Sequence, residues 1–250
     1  MKQVDELAFP NGHQAKTIRI HRNSDVLTSL KQLGLHPPSS TLVLVGGASG
    51  ISPEAMEQLR SLFCNTLAPL AERLGLTVVD GGTDSGVMQL MGHARQHIQG
   101  SFPLLGVVAH AMVAFPDQPA PPDGAPLEPH HTHFMMVPGA LWGDEAPWIA
   151  KVATVLSGAR PSLTVLVNGG MIAWQDVDNS LRENRPVLVM SGSGRTADVL
   201  AAALAGDRSN DRANRLVESG LMEAIDLAAP PENLQQVFEA HLNPAMPISQ

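Results

Sequence analysis

The sequence predicts an α/β fold: a doubly wound, mostly parallel sheet with helices on both faces. Three observations predict it. Short apolar runs such as Thr41 to Val45 and Leu163 to Val167 show no polar alternation, as expected of strands covered on both faces. These runs alternate with stretches of helical character. Four strands end in glycine-rich loops, and three of those loops lead directly into helices.

The elements follow in order. Thr17 to His21 reads as a strand, and Ser24 to Leu33 as a short helix with Ser24 as its cap. Thr41 to Val45 is a buried strand that ends in Gly46-Gly47-Ala48-Ser49-Gly50. Ser52-Pro53-Glu54 then opens a helix with a hydroxyl cap, a proline at the first position and an acid in the first turn. That helix runs to about Leu74, and Gly75 stops it. Leu76 to Val79 is the next strand, followed by Asp80-Gly81-Gly82-Thr83-Asp84-Ser85-Gly86 and a helix to about Ile98. Leu104 to Ala109 is a strand. Residues 110–131 form a long loop with six of the 20 prolines. His133 to Val137 is a strand and Asp144 to Leu156 a helix. Leu163 to Val167 ends in Asn168-Gly169-Gly170 before a helix over Met171 to Glu183. Val187 to Met190 ends in Ser191-Gly192-Ser193-Gly194-Arg195, again before a helix. Two further helical stretches, roughly 212–224 and 231–241, flank a short strand near Ala224 to Leu227. Residues 1–15 read as a tail, 16–206 as the ligand-binding domain, and 207–250 as a helical extension packed on it.

Composition excludes several functions. The formal charge is −8 with four lysines, and aromatics are 4%, so neither a nucleic-acid backbone binder nor a base-stacking platform is expected. No apolar run approaches the roughly 18 residues of a membrane span. The first residues carry Asp5 and Glu6 and no apolar signal segment. The single cysteine, Cys64, has no internal partner and reads as a core residue, and a reducing cytoplasm is the expected location.

The glycine loops carry the functional argument. One such loop serves equally well as a tight turn or a close helix–strand contact. Four in one parallel sheet lie together at the carboxyl edge of the strands, where ligands bind. There, backbone N–H groups and helix N-termini favour an anion. Several converging ends point to a phosphate-bearing nucleotide. No G-x-x-x-x-G-K-[ST] and no complete G-x-G-x-x-G is present, so neither a Walker-type NTPase nor a conventional hydride-transfer site is supported. Arg195 opens a helix, where a cation opposes the dipole unless an anion lies between them; the alternatives are a solvent-facing side chain or a pair with Asp198. Asp80, Asp84, Asp144, Glu145 and Asp176 include candidates for paired-carboxylate chemistry, although acids near helix starts also serve as caps. His130, His131 and His133 look like a metal cluster, but no second carboxylate or cysteine pair has zinc-motif spacing, and no metal is expected.

The segments VVDGGTDSGVMQLMG (78–92), LEPHHTHFMMV (127–137), LTVLVNGG (163–170) and RPVLVMSGSGRTADVLA (185–201) resemble the SLOG superfamily, in particular its TRPM-like prokaryotic branch. That branch is similar to the N-terminal nucleotide-sensing region of melastatin-type TRP channels. The resemblance covers residues 16–206. It implies a Rossmann-like sheet that binds NAD-derived nucleotides such as ADP-ribose or a cyclic relative, with no further cofactor. It places Gly46, Gly47, Gly81, Gly82, Thr83, Ser85 and Gly86 along the ligand, Gly169 and Gly170 close to it, and His133 near the crevice. Gly192, Ser193, Gly194 and Arg195 would form a second phosphate grip. The more distant LOG phosphoribohydrolases carry P-G-G-x-G-T-x-x-E at the fourth strand end. Here that segment is Asn168-Gly169-Gly170-Met171-Ile172-Ala173-Trp174-Gln175-Asp176, with a shorter acid in place of glutamate. The expected function is a nucleotide-binding sensor. The alternative is a nucleotide N-glycosidase or phosphoribohydrolase with Asp176 or Glu145 as its acid. The partner expected is a small nucleotide, and assembly into a homo-oligomer is left open.

Overall fold

The computed structural model describes residues 4–47, 52–116, 118–119 and 121–243. Ala48, Ser49 and Gly50 of the first glycine loop lie outside these residues, as do 1–3 and 244–250 of the expected tail and extension.

The chain opens with a hairpin, β1 (Val4–Ala8) and β2 (Gln14–Arg19). Helix α1 (Val26–Leu33) follows, then β3 (Thr41–Gly46), α2 (Pro53–Leu62) and α3 (Ala68–Leu74). Next come β4 (Thr77–Asp80), α4 (Gly86–His97) and β5 (Leu104–Ala109). Among its described residues, the proline-rich stretch holds a 3-10 turn at His110–Met112 and the two-residue pair β6 (Val113–Ala114) and β7 (Ala125–Pro126). The pattern then resumes with β8 (His133–Val137), α5 (Ala146–Ser157), β9 (Ser162–Val167) and α6 (Ala173–Arg182). It closes with β10 (Val187–Ser191), α7 (Arg195–Leu204), α8 (Asp211–Val217), β11 (Met222–Asp226) and α9 (Pro231–Leu242).

The main sheet has nine strands in the order β1-β2-β8-β5-β4-β3-β9-β10-β11. Every neighbouring pair is parallel except β1 and β2. This is a Rossmann-like, mostly parallel α/β architecture. The sheet takes in segments that the sequence set apart. Residues 4–8 are its edge strand rather than tail, and β11 of the C-terminal stretch is its other edge.

The apolar runs have no polar face because both of their faces are covered. Along β3, Val43 and Val45 enter a core with α1, α5, α6 and α7, while Leu42 and Leu44 enter a second core with α2, α3, α4 and α9. Along β10, Val187 and Val189 join the first core, and Leu188 and Met190 the second. Period-2 alternation therefore sorts one apolar run into two cores.

Local signals set the helix ends. The Ser52 hydroxyl accepts from the Ala55 N–H at 3.2 Å, and Gly75 takes φ +61° after α3. Between α2 and α3 the helix widens over Phe63–Leu67, where the Ala68 N–H donates to the Phe63 carbonyl five residues back. Pro69 explains the widening, since its ring cannot accept the ordinary carbonyl spacing and it has no N–H to donate. The cap of α1 is a correction. Asp25, not Ser24, accepts from the Leu27 N–H at 3.1 Å, while the Ser24 hydroxyl accepts from the His21 N–H at 2.8 Å and closes the preceding turn. The carboxylate sits at the extended position where helical dihedrals begin, which is the cap geometry.

Candidate functional site: a cavity at the reversal of strand order

Chain progression runs outward from β3 in both directions: through β4, β5 and β8 on one side, and through β9, β10 and β11 on the other. The carboxyl ends of β3 and β9 therefore diverge into opposite crossovers and leave a crevice between them. A cavity of about 360 Å³ lies there. Its walls come from the ends of β3 and β4, the starts of α4, α5 and α6, and the proline-rich stretch through Ala125. The lining is mostly apolar, with a small set of polar groups, as is usual for small-molecule sites.

Of the residues singled out in the sequence, Gly46, Gly81, Thr83, Ser85, Gly170, Glu145 and Asp176 line this cavity. Gly46, Gly47, Gly82, Gly86 and Gly169 shape its walls. Gly46 does both, because a Cβ there would stand 1.9 Å from the Val167 carbonyl, and β3 could not approach β9 so closely. Gly47 donates its N–H to that same carbonyl at 3.1 Å. Gly82 packs behind the loop at φ +65°, where a Cβ would lie 2.9 Å from the Gly106 Cα and 2.8 Å from Val108 Cγ1. Gly86 is the first residue of α4, and Gly169 backs onto Ala173 of α6. His133 starts β8, at the amino edge of the sheet and therefore away from the crevice. Burial pushes its imidazole down to about 4, helped by the nearby Lys16 charge.

The loop after β10 differs from the expected phosphate grip. The Ser193 hydroxyl accepts from the Asn168 N–H at 2.8 Å and donates to the Met190 carbonyl. The Asn168 side chain donates back to the Ser193 carbonyl at 2.7 Å. At the start of α7, the Thr196 and Ala197 N–H groups donate to the Gly169 and Asn168 carbonyls. The Thr196 and Ala197 N–H groups and the Ser193 hydroxyl are thus engaged by the neighbouring loop. Gly192 donates to Asp198, at 2.7 Å, so this carboxylate caps the turn. Gly194 abuts the Asn168 side chain. Arg195 takes the left-handed φ of +52°, which is costly for a long side chain. Its guanidinium lies against Gly170, within 3.3 Å of the position a Cβ would take there, at the wall of the cavity.

Three other helix starts face the cavity. The N-cap residues of α4, α5 and α6 are Ser85, Glu145 and Ile172, and none makes a side-chain capping bond. The starts of α4 and α6 therefore present the positive ends of their dipoles with no side-chain acceptor supplied by their own caps, whereas in α5 the Ala146 and Trp148 N–H groups donate to the Gly143 and Glu145 carbonyls and Pro147 has no N–H. Beside them stand two buried acids. Glu145 accepts from the Gly143 N–H through both oxygens, at 3.1 and 3.0 Å. Burial pushes its carboxyl up, against the pull of those bonds, and the Asp144 charge adds to the rise. Asp176 is also buried, and its Oδ1 has no hydrogen-bond partner among the described residues. Burial, with the Glu145 charge second, raises its carboxyl from the ordinary 3.8 to about 8. Near neutral pH Asp176 is therefore largely a neutral hydrogen-bond donor.

Trp142 also lines the cavity. Its indole N–H donates to the Asp123 carbonyl at 2.7 Å, which ties the proline-rich stretch across the cavity mouth. Leu127 of the same stretch bridges to Thr83. The apolar lining residues Ile149, Met171 and Ile172 carry no chemical signature, so sequence patterning had no means of marking them. Among the described residues, no helix is long and apolar enough to cross a membrane.

Residues 39–236 match the family described as SLOG in TRPM, prokaryote. The chain is also similar to transient receptor potential cation channel subfamily M member 2 of Rattus norvegicus, at 25% identity over 208 residues, 69% of this chain and 14% of the channel protein. The Mus musculus protein of the same name is 25% identical over 204 residues, 67% of this chain and 13% of its own length. A member-like 2 protein of the same subfamily in Nematostella vectensis is 23% identical over 266 residues, 90% of this chain and 17% of its own length. The chain thus spans less than a fifth of these relatives. The family match extends over most of the sequence, including every strand of the cavity wall, and the chain belongs to the prokaryotic SLOG-in-TRPM family.

Proposed function

We propose that the cavity binds a NAD-derived nucleotide, ADP-ribose or a cyclic relative, and that the protein acts as a sensor of that ligand. One observation carries the reading: the starts of α4 and α6, without side-chain caps, converge on a single crevice that also holds two buried acids. Helix N-termini suit the phosphates, and Arg195 at the Gly170 wall adds a cation on the same side. Neutral Asp176 and the Glu145 carboxyl suit ribose hydroxyls, which both donate and accept. The apolar walls suit the faces of a base or ribose. The family membership agrees with a nucleotide-related domain. The likeness to channel proteins suggests that binding is read out through contacts with another domain or a second copy.

Calorimetric titration with ADP-ribose and its cyclic relatives tests this reading. Saturable one-to-one binding supports it, and absence of binding at millimolar ligand rejects it.

One observation favours a second reading, N-glycosidase chemistry. The buried Oδ1 of Asp176, without a hydrogen-bond partner among the described residues, belongs to a carboxyl that holds its proton near neutral pH. Such a group can protonate a departing base as its bond to the anomeric carbon breaks, and the carboxylate left behind can take the proton of the water that adds to that carbon. Release of free base from nucleoside monophosphates or ADP-ribose, abolished in Asp176→Asn, selects this reading over the sensor.

A further inference from the structure

Outside the cavity, α4 and the segment entering β8 bring together His93, Glu128 and His130. One metal-binding atom from each lies within 4.8 Å of the other two. The sequence hid this group, since it pairs His130 with a histidine of a distant helix and with an acid that no zinc-motif spacing marks.

Glu128 is fully buried and its orientation is fixed. Its Oε2 accepts from the His130 N–H at 2.9 Å and faces His131 Nδ1 at 2.8 Å. The other nitrogen of His131 faces Asp80 Oδ1 at 2.8 Å, and that oxygen also accepts from the Gly82 N–H. The His131 ring stacks on Phe134 with centroids 5.3 Å apart. A carboxylate–imidazole–carboxylate chain thus locks Oε2 and leaves Oε1 turned towards His130 Nδ1, 2.6 Å away. Outer partners that orient a ligand in this manner are characteristic of protein metal sites. Gly92 completes the seat. A Cβ at that position would stand 2.2 Å from the Glu128 carboxyl, so only the bare helix backbone lets the carboxylate reach α4 beside His93. The His130 ring is flanked edge-on by His93 and by His13 of the β1–β2 turn, at centroid separations of 5.3 and 5.2 Å.

From this arrangement we infer that His93, His130 and Glu128 bind a divalent transition-metal ion of the zinc class. Two imidazoles and a carboxylate form a donor set suited to zinc, cobalt or nickel, whereas calcium and magnesium favour oxygen donors. Ligand atoms around tetrahedral zinc, with bonds of about 2.0–2.1 Å, stand roughly 3.3 Å apart. Rotation of the exposed His93 side chain closes the remaining distance, and water or His13 completes the shell. The ion would pin residues 128–131 to α4. Because the Glu128 N–H donates to the Gly82 carbonyl at 3.0 Å, it would also brace the loop that lines the cavity.

The test uses the full chain, stripped with a chelator and titrated with zinc chloride by calorimetry and with cobalt(II) by visible absorption. One equivalent of zinc is expected, with a cobalt spectrum of low coordination number and a rise in Tm on zinc addition. His93→Ala and His130→Ala each weaken binding at least tenfold, and the double variant loses the cobalt spectrum. His241→Ala, remote from the group and paired with Glu223, leaves both unchanged. No stoichiometric binding by the wild type overturns the proposal, as does undiminished binding by the double variant. Should His130→Ala not fold, His93→Ala on the exposed side of α4 decides alone: unchanged affinity overturns the site.

Discussion

Asp176→Asn is expected to change the pH dependence of stability more than any other single substitution in the cavity. The native carboxyl is raised from the ordinary 3.8 to about 8 by burial and by the Glu145 charge. A group whose folded pKa is raised contributes stability that is fully present below its unfolded pKa and is lost as pH rises through its folded pKa. The window here runs from about pH 4 to about pH 8. Within it the wild type loses about 1.4 kcal/mol per pH unit through this group, which accumulates to roughly 4 kcal/mol near pH 7. Asparagine has nearly the same shape, keeps donor and acceptor capacity, and does not titrate. The variant should therefore match the wild type near pH 4 and exceed it by several kcal/mol near pH 8. Urea unfolding at a series of pH values measures the difference, with Cm read at constant m. Wild-type and variant stabilities that run parallel across the window would refute the reasoning, because they would mean that Asp176 is not desolvated in the native protein.

Other predictions address the walls and rim of the cavity. Arg195→Ala should weaken nucleotide binding by about 1.5–3 kcal/mol, as for a lost charged hydrogen bond, and calorimetry showing unchanged affinity would remove Arg195 from the site. Ser193→Ala should act in the opposite manner. It breaks the bonds to Asn168 and Met190 and should cost about 1–3 kcal/mol of stability by denaturant unfolding, with little loss of nucleotide affinity in the protein that remains folded. A large affinity loss at unchanged stability would restore Ser193 as a ligand contact. Gly82→Ala should cost about 1–3 kcal/mol from overpacking against Gly106 and Val108, with the left-handed φ adding to it. A Tm equal to that of wild type would show that the β4 loop can relax.

The architecture was legible because it depends on local and periodic properties. Runs such as Thr41 to Val45 are apolar at every position, and burial on both faces of a parallel sheet is the condition that demands this. Ser52-Pro53 and Gly75 bracket a helix for reasons confined to a few residues of backbone. The carboxyl edge as the place of the cavity followed from the strand–loop–helix rhythm. Less legible was the hairpin of Val4–Ala8, because an edge strand exposed on one side carries polar residues and reads as a tail.

What the sequence determined by itself was the sheet, its glycine-bearing edge and the acids that stand near it. Tertiary structure alone decided which of those groups are available to a ligand. Ser193-Gly194-Arg195 and Asn168-Gly169-Gly170 both read as glycine-rich strand ends, yet Ser193 and Asn168 bond to each other across β9 and β10. Among the described residues, the starts of α4 and α6 have no side-chain cap and border the crevice. In the same way, Asp176 and Asp198 are both acids in a first helical turn. Burial raises one to about 8, with no partner for its Oδ1 among the described residues, and the other accepts a backbone bond in solvent. A hydrogen bond between loops far apart in sequence, or the burial of one carboxyl and not another, depends on which strands become neighbours, and no local pattern encodes that.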